Sequence, residues 1–88
     1  MIDRYEIKDS HLDCLQTHNG FIYVTDQINH CVRVFRIEND KLVQHPALTG
    51  YSFPHGIAIE PKTNQIAVTN YGFNNVVIKQ LPEFPITS

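Results

Sequence analysis

The fold class this sequence predicts is all-β, built as two copies of one four-stranded antiparallel unit. Three observations predict it. Short runs rich in β-branched and aromatic residues alternate with turn clusters. No segment carries a helical period. The whole pattern recurs at an offset of 44 residues, the separation of His11 from His55.

Taken in order, the strands predicted in the first unit are Leu12–Gln16, Phe21–Thr25, Cys31–Ile37 and Lys41–Gln44. The second unit repeats them as Gly56–Glu60, Gln65–Thr69 and Val76–Leu81, with Pro85–Ser88 as a short outer strand. Pro82 and Pro85 weaken that last strand, because proline donates no ladder hydrogen bond and is confined to edges. Thr17-His18-Asn19-Gly20, Gln27-Ile28-Asn29-His30, Glu38-Asn39-Asp40, Pro61-Lys62-Thr63-Asn64 and Tyr71-Gly72-Phe73-Asn74-Asn75 connect the runs, and each supplies residues that tolerate turn geometry. Without a gap, the offset of 44 aligns His11 with His55, Leu15 with Ile59, Ile22 with Ile66, Val24 with Val68, Thr25 with Thr69 and Val32 with Val76. The units therefore divide as residues 1–45, a first unit with an N-terminal strand, and 46–88, a second.

A period of this length with four short strands is that of a β-propeller blade. Ile22-Tyr23-Val24-Thr25-Asp26 and Ala67-Val68-Thr69-Asn70-Tyr71-Gly72-Phe73-Asn74-Asn75-Val76 resemble the YVTN-type and lactonase-like propeller repeat. Phe53-Pro54-His55-Gly56-Ile57-Ala58-Ile59-Glu60-Pro61 resembles the opening of an NHL-type blade, and the resemblance spans about residues 10 to 82. It implies a partial propeller of two four-stranded antiparallel blades. Strands such as Phe21-Ile22-Tyr23-Val24 are apolar on both sides, as sheets covered on both faces require. Two blades leave two apolar faces in water, so the ring is completed either by copies of the chain or by missing blades of a longer one. Twice the repeat equals the 88 residues of the chain, which puts Ser88 of one copy in phase with Met1 of the next; the expectation is either a head-to-tail ring of three or four chains or a fragment of a longer one. Residues Asp3–Ile7 then follow the outer strand or replace it.

Composition narrows the function classes. Lys and Arg number 7 against 9 Asp and Glu, are scattered, and leave a net charge of −2, so no patch neutralises phosphates and nucleic-acid binding is disfavoured. No run approaches the roughly 18 apolar residues of a membrane helix, and Met1-Ile2-Asp3-Arg4-Tyr5-Glu6 lacks a signal-peptide core, which makes cytoplasmic residence the default expectation. Cys14 and Cys31 sit in apolar runs and read as reduced core residues, with a structural disulfide as the lesser alternative.

The candidate site residues are His11, His55, Asp26, Asn70 and Tyr71. The two histidines stand at the entry to the innermost strands, beside the central channel. Their imidazoles either converge on a divalent ion there or cap the strand entries, and no nearby carboxylate is expected to complete a ligand set. Pro54-His55-Gly56 also resembles the zinc-binding turn of peptidyl-hydroxyglycine lyase propellers, which implies a metal role for His55 alone. Asp26 and Asn70 end the second strands, where Asx side chains either line a channel mouth or bond to their own turn. Tyr71 and Phe73 present aromatics to a sugar or peptide, or pack on an adjacent blade; Arg33 and Arg36 meet an anionic partner or decorate the rim. Phosphate loops, nucleophile elbows and His-Glu-x-x-His are absent. Two functions follow. One is a binding scaffold without cofactor that presents loops to a protein, peptide or glycan. The other is a piece or protomer of a lactonase-like or metal-dependent hydrolase or lyase.

Overall fold

The computed structural model describes residues 1–82. It is all-β, with two antiparallel sheets and no helix among the described residues. The first sheet is a meander of β1 (Leu12–His18), β2 (Phe21–Asp26), β3 (Cys31–Glu38) and β4 (Lys41–Leu48). The second is β5 (Pro54–Glu60), β6 (Gln65–Asn70) and β7 (Asn75–Gln80), and the predicted outer strand Pro85–Ser88 lies outside the described residues. β4 runs on through Pro46 to Leu48, past the unit boundary drawn at residue 45; it is an edge strand, where a missing N–H costs no ladder bond.

Turn chemistry fixes each hairpin. Asn19-Gly20 and Asn39-Asp40 are two-residue loops with positive φ at both positions, the twist that matches right-handed strands. The loops after β2, β5 and β6 have four residues and end on His30, Asn64 and Asn74, each left-handed. This asymmetry corrects the ungapped alignment. Between β1 and β2 lie two residues, but between β5 and β6 lie four. The inner strands therefore correspond at an offset of 42, while the strands that follow keep 44. Leu15 pairs with Val24 as Ile57, not Ile59, pairs with Val68. By the same register the counterpart of His55 is Asp13, and that of His11 is Phe53. Two matching bonds support this: Gln27 N–H donates to His11 O at 3.0 Å, and Tyr71 N–H to Phe53 O at 3.1 Å.

The sheets pack face to face, with β5 lying against β1 and β2. The core joins Phe21, Tyr23, Val32 and Val34 of the first sheet to Ile66 and Val68 of the second, closed by Tyr51 and Leu81 and flanked by Ile57, Ile59 and Val77. Strand alternation shows which faces meet. The first sheet contributes the side carrying Tyr23 and Val34, which pair across β2 and β3. The second contributes Ile66 and Val68, whose counterparts in the first sheet are Ile22 and Val24, on the opposite side. One sheet thus presents its front and the other its back. The first sheet's back is covered in part by the N-terminal segment: the Tyr5 ring stands edge-on to Phe35 at 5.1 Å, its hydroxyl reaches Gln44 Oε1 at 2.8 Å, and Leu42 N–H donates to Asp3 at 2.8 Å. The predicted strand at Asp3–Ile7 is irregular backbone here. The second sheet's front, with Val76 and Ile78, is open at 61% and 64% exposure.

Candidate ligand site at the paired inner-strand bulges

Each inner strand is interrupted near its start. Pairing of β1 with β2 shifts between Leu12 and Leu15, and pairing of β5 with β6 shifts between Pro54 and Ile57. Bulges of this kind re-aim side chains, and here the re-aimed residues are Asp13-Cys14 and His55-Gly56. A threonine at the end of the neighbouring strand fastens each bulge. Cys14 N–H donates to Thr25 Oγ1 at 2.9 Å, and Gly56 N–H donates to Thr69 Oγ1 at 2.6 Å. Thr25 is fully buried, and its hydroxyl donates across the sheet interface to His55 O at 2.9 Å, with Cys14 O at 3.5 Å as the more distant acceptor. The two bulges are therefore held against each other through one buried hydroxyl.

That tether brings His55 Nε2 to 2.9 Å from Asp13 Oδ2, and Cys14 Sγ joins them so that the three donor atoms lie within 4.8 Å of one another. The group holds a base, a carboxylate and a thiol at the strand entries. It contains His55 but not His11. The sequence reading missed Asp13 because the ungapped offset paired the wrong residues; the usable signal was the Asn19-Gly20 hairpin, which shortens the first loop. His11 instead gives its backbone to the loop: its N–H lies 3.3 Å from Asp26 Oδ1.

Asp26 and Asn70 are buried and engaged with the chain itself. Asp26 accepts from His11 N–H, from Asn29 N–H and Nδ2, and from Arg33 Nε at 3.1 Å. Burial works to raise its carboxyl. Hydrogen bonds from the Asn29 side chain and backbone, from His11 and from Arg33 outweigh that effect and hold it below the ordinary carboxylate range. Asn70 Oδ1 accepts from Ser52 N–H at 3.0 Å. Both residues thus stitch the strand entries. Arg36 lies over the Phe21 ring at 5.3 Å. Cys14 and Cys31 are both free; burial pushes the Cys31 thiol up, with Arg33 opposing and Asp26 reinforcing the shift.

His55, Asn70 and Tyr71 meet in one open cleft of about 460 Å³, completed by Thr69, Asn74, Asn75 and Val76. Tyr71 is 72% exposed there. His11 and Asp26 do not line it. No helix among the described residues is long and apolar enough to cross a membrane. Comparison with family models, curated proteins and solved structures finds no match to the chain.

Proposed function

We propose that the chain is a pair of consecutive β-propeller blades, acting as an interaction scaffold that docks further blades on its open front. The observation that carries this reading is the front-to-back contact of the two sheets. A contact between unlike faces is open-ended, because applying the same step again places another sheet on the exposed front. Residues equivalent to buried Tyr23, Val32 and Val34 are Ala67, Val76 and Ile78 on that front, and the last two stand in water. The occupant of the open front is a sheet whose back resembles that of the second sheet, with aliphatic residues at the places of Ile57, Ile66 and Val68, as Leu15, Ile22 and Val24 are in the first sheet. Further copies or further blades of a longer chain both supply it.

Sedimentation of the purified chain tests this. Association into a closed assembly, lost in Ile78→Lys while the far-ultraviolet spectrum is kept, is the expected result. A well-folded, stable wild-type monomer contradicts the scaffold reading. A second reading, a metal-dependent hydrolase or lyase of the lactonase-like kind, has one favouring observation, the convergence of Asp13, Cys14 and His55.

A further inference from the structure

We propose that Asp13, Cys14 and His55 form a three-ligand site for a zinc-like divalent ion, spanning the two inner strands and leaving a coordination position open. The set is chemically apt, since Zn²⁺ accepts carboxylate, thiolate and imidazole donors together, and a thiolate selects it over hard cations such as Mg²⁺ and Ca²⁺. Dimensions agree. Bonds of about 2.0–2.3 Å in a tetrahedron put donor atoms roughly 3.3–3.7 Å apart. The present donors span 2.9 Å for the Asp13–His55 pair and no more than 4.8 Å overall, so each needs to move by less than about 1 Å.

The backbone beneath the site is built rather than incidental. Two of the three ligands lie on one bulge and the third on another, and Thr25, fully buried, bonds to the backbone of both Cys14 and His55. The ligand-bearing backbones are therefore positioned before any ion arrives, which lowers the ordering cost of binding. Accessibility is also met: His55 and Asp13 side chains are 55% and 28% exposed, so an ion enters without opening the core. On binding, the Cys14 thiol gives its proton to solvent and the thiolate donates to the metal, while the proton shared by His55 Nε2 and Asp13 Oδ2 is lost to solvent or moves to Nδ1, which leaves the imidazole with its N–H on Nδ1 and frees both atoms to bind the ion. Three protein ligands leave a fourth tetrahedral position for water or a ligand donor from the adjoining cleft. This site does not depend on ring closure, because both strands belong to one chain.

Titration of the metal-free chain with Co²⁺, followed by displacement with Zn²⁺, tests the proposal. One Co²⁺ per chain with thiolate-to-metal charge-transfer absorption is expected. Cys14→Ser abolishes that absorption, Asp13→Asn and His55→Ala each weaken binding at least tenfold, and His11→Ala changes nothing. Absence of the absorption in folded wild type overturns the site. So does its persistence in Cys14→Ser, which moves it to Cys31. Should Cys14→Ser fail to fold, the exposed Asp13→Asn decides, and unchanged affinity there is equally fatal.

Discussion

Thr25 is buried, and its hydroxyl accepts from Cys14 N–H while donating to His55 O. Its counterpart Thr69 makes the same bond to its own bulge but faces solvent. Replacing Thr25 by valine keeps the shape and takes the Thr25 partner from an N–H and a carbonyl at the part-buried seam between the sheets, a loss of about 1–3 kcal/mol. Thr69→Val, whose groups are open to water, is expected to cost no more than about 0.5 kcal/mol. Urea denaturation of the two variants under conditions that keep the chain monomeric measures the contrast. Asp26 sets the acid limb of stability. Its folded pKa is depressed, so its contribution is fully present above the ordinary aspartate value of about 3.9 and is lost as pH falls from there through the folded value. Asp26→Asn is expected to lower stability near neutrality and to flatten that acid limb. A pH series of thermal melts that keeps the full wild-type slope in the variant contradicts this role.

Among the elements, the hairpins decide the register, and through it the site. Gly20 has φ of +81° with open space where a Cβ would stand. A side chain there meets no neighbour and only backbone strain, so Gly20→Ala is expected to cost about 1 kcal/mol, read from a shift in melting temperature. All seven described strands were legible in the sequence, because apolar runs and Asn, Asp, Gly and Pro punctuation are local signals. Their ends were less so. Thr17 and His18 were assigned to a turn, whereas Asn19-Gly20 alone closes the loop and lets β1 run to His18. That single misreading shifted the inner strand by two residues and paired His11 with His55. His55 itself was legible from Pro54-His55-Gly56. Asp13 and Cys14 were not, because their meeting with His55 depends on packing between sheets and on two bulges that no local pattern announces. Of the two Asx residues at the strand ends, Asp26 bonds to its own turn through Asn29, as one of the two readings had it, whereas the Asn70 side chain reaches back to Ser52 and lines the cleft; both are buried.

At the scale of the whole molecule, the property on which the rest depends is that unlike faces meet. Had the sheets met front to front, the pair would form a closed sandwich with no surface for a further sheet. The covered back at Phe35 and the open front at Val76 and Ile78 also differ in kind, the first sheltered by Tyr5 and the second bare. Hydrophobic burial supplies the drive to cover the second, since exposed Val and Ile side chains are worth about 1.5–3 kcal/mol each when fully buried. The most direct measurement is a nuclear Overhauser spectrum of the methyl-labelled chain, recorded on isotopically mixed samples that separate contacts within a chain from those between chains. Intrachain cross-peaks from Val32 and Val34 to Ile57, Ile66 and Val68 are predicted. Cross-peaks within one chain from Ile22 and Val24 to those residues, or amide contacts that pair β4 edge to edge with β5, would contradict the account.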